Sequence, residues 1–168
     1  KSGTPLKPLI IGGSQERNRR GGTENTLSII GFAEAVRLLQ DKIEDNYLYV
    51  KTLRDYFRDE LLTQISDIQV NKPLNDFPYI LNFSFDNNIY TNDSEAMLMY
   101  LDLNGVSVST GAACTSGTLK PSHVLLNSGY EYEEAKGTIR ISFSPFNTIE
   151  ELDYALEVFY RLSKNFKK

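Results

Sequence analysis

Tryptophan is absent from the 168 residues, cysteine and histidine occur once each, and methionine occurs twice. A single cysteine permits no internal disulfide, so a reducing compartment, the cytoplasm, is the expected location. One cysteine and one histidine also leave no Cys/His zinc cluster. There is no basic excess: Lys plus Arg total 18 against 22 for Asp plus Glu, a formal charge of −4. Nucleic-acid binders normally carry a basic excess or stripe, so no nucleic-acid partner is expected. No apolar run approaches the ~18 residues of a membrane-spanning helix, and no secretory leader pattern follows Lys1, so no membrane partner is expected either. Repeats and low-complexity linkers are missing too. What is present is ordinary for a globular chain: 40% hydrophobic and 24% charged residues, with ten tyrosines and nine phenylalanines that read as core and interface. A chain of this length buries roughly 70% of its unfolded surface, enough for its own core.

Residues 1–20 carry Pro5, Pro8, Gly12 and Gly13 around the short apolar run Leu9-Ile10-Ile11. They read as a strand or extended segment entering a turn, with no strand nearby to pair it. From Thr23 the pattern turns helical. Leu27, Ile30, Ala33 and Leu38 form a stripe behind Thr23 or Asn25 as N-cap, and Val50, Leu53, Phe57 and Leu61 form a second. Asp67 to Asn71 reads as a short strand. Ile80 to Phe85 reads as a stronger one, with Leu81, Phe83 and Phe85 on one face. Ser94 to Leu103 is a predicted helix capped by Asp93 or Ser94 and stopped by Asn104-Gly105. Val106 to Ser109 reads as a short strand, and Pro121 to Leu126 as a short helix. Thr138 to Phe143 alternates, placing Ile139, Ile141 and Phe143 on one face and Arg140 and Ser142 on the other. Thr148 and Glu151 make a capping-box pattern for a last helix with Ile149, Leu152, Leu156 and Phe159 as its seam. The expected fold is α+β, a small, mostly antiparallel sheet covered by helices, with the helical stretch from Thr23 to about Ile65 at one end.

Few residues can carry chemistry. A lone cysteine is more often a buried structural residue. Cys114, however, is surrounded by small residues in Thr110-Gly111-Ala112-Ala113-Cys114-Thr115-Ser116-Gly117, a run that leaves a sulfur reachable. It is a nucleophile candidate, active as the thiolate. Arg140 on pattern alone is a solvated strand arginine; the functional reading is a fork of donors that grips a carboxylate at two points. The stretch from Gly12 to Thr23 contains three arginines, four glycines and a hydroxyl ahead of a helix. It suits either an anion site at a helix N-terminus or a glycine-rich turn. It matches neither phosphate-loop nor dinucleotide fingerprints. His123, with no visible Asp partner, receives no role.

Three stretches together resemble one family. Gly12-Gly13-Ser14-Gln15-Glu16-Arg17 through Arg20-Gly21-Gly22-Thr23-Glu24-Asn25 resembles its GGxQE(R)xxRxGTxN element. Ser109 to Gly117, followed by Pro121-Ser122-His123-Val124-Leu125, resembles its SSGSACxSG…PSHVL cysteine loop in the longer-loop form. Thr138-Ile139-Arg140-Ile141-Ser142-Phe143 with Asn147-Thr148 resembles its xIRxSFxxxNT strand. The family is the NifS/IscS-like cysteine desulfurases, pyridoxal-phosphate enzymes of aminotransferase fold type I. The resemblance implies that the Cys114 thiolate takes sulfur from cofactor-bound L-cysteine, releases alanine, and hands the persulfide sulfur to an acceptor protein. Arg140 then holds the substrate carboxylate. Thr23 contacts the cofactor phosphate of a neighbouring subunit, which implies a homodimer. Iron–sulfur cluster assembly is one destination for such sulfur.

The family's cofactor-bonding lysine sits in a Ser-x-His-Lys element. None exists here, because His123 is followed by Val124. The resemblance therefore implies the C-terminal part of a desulfurase: 1–25 an edge of the cofactor (large) domain, 26–45 a connecting helix, and 46–168 the small domain with the cysteine loop. The chain alone is expected to be inactive. A selenocysteine or sulfinate lyase relative, and a non-enzymatic dimerisation or sulfur-carrier module, stand as alternatives. After pyridoxal phosphate is added and the excess removed, the 168-residue chain should be colourless; a retained yellow band in the visible spectrum would show that one of its own lysines bonds the cofactor.

Overall fold

The computed structural model describes Thr4, Pro5 and residues 7–71, 77–110 and 121–168. They fall into two compact units, Lys1–Ile43 and Glu44–Lys168.

In the first unit, Leu9, Ile10 and Ile11 form no strand and lie exposed, and that unit has no described strand that could pair them. The chain instead doubles back, with the Gly21 amide donating to the Ile10 carbonyl at 2.8 Å. A single turn, α1 (Gln15–Asn18), has left-handed φ values of 51°, 58° and 63° at Glu16, Arg17 and Asn18. Such values cost roughly 1–2 kcal/mol for a residue with a Cβ, and Asn tolerates them best. Helix α2 (Thr26–Gln40) starts at Asn25, whose side chain accepts from the Ser28 amide at 3.2 Å; Asn25, not Thr23, is the cap. The predicted stripe is helical but unburied: Leu27 is 84% exposed and no α2 residue is buried.

The second unit runs α3 (Ile43–Gln64), β1 (Ile68–Val70), β2 (Ile80–Phe85), α4 (Ser94–Leu103), α5 (His123–Asn127), α6 (Tyr132–Lys136), β3 (Thr138–Ser142) and α7 (Ile149–Asn165). A turn at Asp41-Lys42 separates α2 from α3, the helices of the two expected apolar stripes. The three strands form one antiparallel sheet in the order β1-β2-β3. Ile68 and Val70 pair with Phe85 and Phe83, while Phe83 and Leu81 pair with Ile139 and Ile141, so all of these apolar residues share one face.

That face meets α3, α4 and α7 in the core. Val50, Leu53, Phe57 and Leu61 of α3 are buried, so α3 is central to the core and does not merely flank one end of the sheet. Edge-to-face contacts link Phe57 to Phe143 and Phe159, and Phe83 to Phe85 and Phe159, at centroid separations of 5.7–6.0 Å. Tyr56 ties α3 to α7 by donating to Asp153 Oδ1 at 2.5 Å. That bond, with lesser help from desolvation, raises the Tyr56 phenol to about 12.

Two predicted details differ. Val106 to Ser109 is no strand: Gly105 adopts φ 74° and the Val106 amide donates to the Leu101 carbonyl, committing the segment to the end of α4. Only Ser109 reaches the sheet, as a bridge to Arg140. Helix α6, not anticipated, begins with a capping box between Glu131 and Glu134. It lies over the outer face of β2, where the Thr138 hydroxyl donates to the Ala135 carbonyl at 2.9 Å and Ser94 Oγ donates to the Lys136 carbonyl. The α7 seam holds at Leu152, Leu156 and Phe159, whereas Ile149 is 37% exposed. Urea unfolding should therefore separate two seam positions: Phe159→Ala should lose about 3–5 kcal/mol, and Ile149→Ala well under half as much.

Candidate functional site

Arg140 occupies the middle of β3, and its side chain takes the face opposite the apolar layer because Ile139 and Ile141 take the inner one. It is exposed, and its guanidinium forms no hydrogen bond or ion pair among the described residues. Five donors therefore face outward with no anion beside them, which is what recognition of a carboxylate requires.

The backbone of Arg140 explains what lies next to it. Its amide donates to the Ser109 carbonyl at 2.7 Å and its carbonyl accepts from the Ser109 amide at 3.0 Å. This doubly bonded pair puts Ser109 against the β3 edge, on the side away from β2, with both side chains on the same face. Thr110 follows, 4% exposed. Cys114 lies outside the described residues. Ser109, the residue that opens the cysteine run, is thus paired with Arg140 although 31 positions of sequence separate them.

Thr23 belongs to the first unit. Its loop closes by glycine contacts: a Cβ on Gly21 would meet Gly12 backbone atoms at 2.7–2.8 Å, and Gly22 adopts φ 93°. Arg20 lies inside this turn, Nη1 donating to the carbonyls of Gly21 (3.2 Å), Gly22 (2.7 Å) and Thr23 (3.3 Å), with Glu16 3.9 Å from its other terminal nitrogen. The glycine-rich stretch is therefore a self-closed turn in which Arg20 is already engaged. Thr23 itself is exposed, and its hydroxyl has no partner among the described residues.

The residues present fit only an edge of pyridoxal phosphate. The free Thr23 hydroxyl suits a phosphate oxygen, but no Ser-x-His-Lys lysine is available for the aldehyde. His123 opens α5 and is exposed. A groove of about 510 Å3 runs between Gly105–Val108, Phe143 and the first turn of α7, and Arg140 does not line it. Its polar rim is occupied internally: Asn147 donates to Glu151 Oε2 at 3.0 Å, and the same carboxylate accepts from the Thr148 amide at 3.2 Å. The largest signal that sequence reading missed is Asn82, which pairs directly with Arg140, and Asn71 beside it. Two asparagines at or beside strands, where Asn is disfavoured, were the available hint.

Comparison with known proteins yields a consistent set. A family profile described as aminotransferase class-V matches residues 10–155. A protein named cysteine desulfurase IscS from Dictyoglomus turgidum is 44% identical over 163 residues, covering 96% of this chain and 40% of that protein. Another of the same name from Clostridium botulinum strain Hall is 37% identical over 167 residues, covering 98% and 41%. Among solved structures, a NifS-like protein from Rickettsia africae superposes with TM-score 0.78 at 34% identity, over 96% of this chain and 41% of that one. The chain spans about 40% of the length of the curated relatives it matches. Hydrogen exchange tests the tether: Ser109→Pro removes the amide that donates to Arg140, and exchange at the Arg140 amide should speed up about tenfold. Unchanged protection would mean that the bridge does not hold Ser109 to β3.

Proposed function

The chain belongs to the class-V aminotransferases, and from that premise we propose that it is the cysteine-loop portion of a pyridoxal-phosphate-dependent cysteine desulfurase. The observation that carries this reading is the pairing of Ser109 with Arg140, which joins the start of the cysteine run to an exposed guanidinium that has no partner among the described residues. Residues 1–25 are assigned to the edge of the cofactor domain, 26–45 to a connection, and 46–168 to the small domain.

Each residue has a defined task. Arg140 grips the L-cysteine carboxylate at two points and so orients the substrate sulfur. The Cys114 thiolate attacks that sulfur. An S–S bond forms, the substrate C–S bond breaks, and its electron pair stays with the carbon, which takes a proton to leave as alanine. The persulfide on Cys114 then passes its outer sulfur to an acceptor thiol. The cofactor, when bound, supplies an electron sink that stabilises negative charge on the substrate. Thr23 contributes its hydroxyl to the phosphate in the neighbouring subunit of a homodimer. The reading places the protein in the cytoplasm with iron–sulfur assembly as a destination for the sulfur. Among the described residues no helix is long and apolar enough to cross a membrane.

The test places these 168 residues in the corresponding position of the Dictyoglomus turgidum protein, which supplies the remaining length. The hybrid should be yellow and release alanine from L-cysteine. Cys114→Ala should keep the colour and lose alanine formation, because the thiol acts on sulfur and not on cofactor binding. Arg140→Lys should raise KM for L-cysteine about tenfold or more, since one ammonium replaces a two-point fork. A yellow hybrid in which Cys114→Ala still forms alanine from L-cysteine would overturn the assignment in favour of a lyase needing no persulfide.

A further inference from the structure

Along β3 the main-chain amides and carbonyls alternate between its two edges. Ile141 turns toward β2, where it pairs with Leu81, and the Phe143 amide donates to the Tyr79 carbonyl at 2.8 Å. Arg140 and Ser142 therefore turn their amides and carbonyls the other way. Arg140 uses both on Ser109, whereas the Ser142 amide and carbonyl have no partner among the described residues. Antiparallel counting from the Ser109–Arg140 pair puts Ser107 opposite Ser142, and the Ser107 main chain is likewise without a partner among the described residues. Between the two lies the groove of about 510 Å3, with Val106, Ser107 and Val108 on one side and Ile141, Ser142 and Phe143 on the other.

The segment between these serines is pinned at both ends. One end is the doubly bonded Ser109. At the other, the Val106 amide donates to the Leu101 carbonyl at 2.9 Å, and the Tyr154 hydroxyl of α7 donates to the Asn104 carbonyl at 2.9 Å. Gly105 beside them adopts φ 74°, and beyond its chain neighbours no described atom stands within 4 Å of the place a Cβ would take, so the chain can swing there. The side chains already obey the alternation of a strand. Val106 and Val108 pack against the core as Ile141 does, while Ser107 is exposed as Ser142 is. Bringing Ser107 to the strand spacing of about 4.8 Å from Ser142 therefore moves main chain and turns no side chain to the other face.

We propose that Val106–Val108 is a strap that closes onto β3 in the register Ser107–Ser142, with Gly105 as its hinge and the Ser109–Arg140 pair as its fixed end. Closure adds two main-chain hydrogen bonds and turns an isolated bridge into a short ladder. It thereby sets how firmly Ser109, the start of the cysteine run, is held beside Arg140. That consequence for sulfur chemistry rests on the function reading above; the closure itself does not. An extended segment of another chain is the competing occupant of the groove. Such a segment would be stopped at the Ser109 bridge and could form only the same single pair with Ser142. It would also lose its translational freedom in doing so, whereas the strap is already tethered at both ends.

Hydrogen exchange and crosslinking in the 168-residue chain test the strap, and neither uses desulfurase activity. In the unaltered chain the Ser142 amide should exchange about tenfold or more slower than an exposed, unbonded amide. Ser107→Pro removes the amide that donates to Ser142 on closure, and should speed exchange at both Ser142 and Arg140. With Cys114→Ala removing the only cysteine, Ser107→Cys/Ser142→Cys should form an internal disulfide with oxidised glutathione. It should do so about tenfold faster than Ser107→Cys/Ser144→Cys, whose Cα atoms stand about 7–8 Å apart in the closed register, beyond disulfide reach. A Ser142 amide that exchanges like an exposed one in the unaltered chain, or equal crosslinking in the two pairs, overturns the proposal. Protection of Ser142 that appears only when the peptide acetyl-Val-Ser-Val-Ser-amide is added overturns it too, in favour of an inserted segment. A hybrid enzyme without desulfurase activity, beside a Ser142 that is protected in the 168-residue chain, refutes the function reading and leaves the strap intact.

Discussion

The structure depends on β2 having two chemically opposite faces. Leu81, Phe83 and Phe85 turn inward and are each at most 3% exposed, while Asn82 and Ser84 turn outward. Strand periodicity is two, so this alternation fixes the register of both neighbours: a slip of one residue would bring polar side chains to the apolar layer. With the register fixed, β3 has to present Ile139 and Ile141 inward, and Arg140 stands opposite Asn82 on the outer face. The outward placement of Arg140 is thus a by-product of hydrophobic packing. No separate device is needed to keep the guanidinium out of the core.

The same constraint organises the surrounding elements. Phe83 and Phe159 meet edge to face, so α7 is seated directly on β2, and Phe57 brings α3 to the same point. Polar contacts then tie the helices together, with Tyr56 on Asp153 between α3 and α7 and Tyr154 on the Asn104 carbonyl between α7 and the end of α4. Aromatic residues supply both the bulk of the core and, as tyrosines, its pegs. The outer face is treated differently. It is partly covered by α6, to which the Thr138 hydroxyl is bonded, and is open at Arg140. A binding group can stay solvated there while the backbone beneath it is held by a packed sheet.

The first unit shows a contrasting economy. Its glycine-rich loop closes through Gly12 and Gly21 backbone contact and through Arg20 bonding to three carbonyls, with hardly any buried side chain. Its helix α2 follows the expected periodicity yet buries nothing, since a periodic apolar stripe specifies a helix and a face without specifying what covers it.

Much was legible in the chain itself. Alternation revealed β2 and β3 and the outward placement of Arg140, and capping patterns marked the starts of α4 and α7 at Asp93 and Thr148. Motif resemblance identified Cys114, Arg140 and Thr23 as the residues to watch, because these signals are local and their spacing survives in a linear sequence. The short α6 was not seen: its cap uses Glu131, an uncommon capping residue, and five residues carry too little periodicity to read. Val106–Ser109 was misread because alternating valines suggest a strand, while the deciding bond, from the Val106 amide to the Leu101 carbonyl, belongs to the turn ending α4. Only the tertiary structure could bring Asn71, Asn82, Arg140 and Ser109 into one row. They are scattered over 70 positions of chain, and hydrogen bonds between strands, which have no image in sequence order, align them.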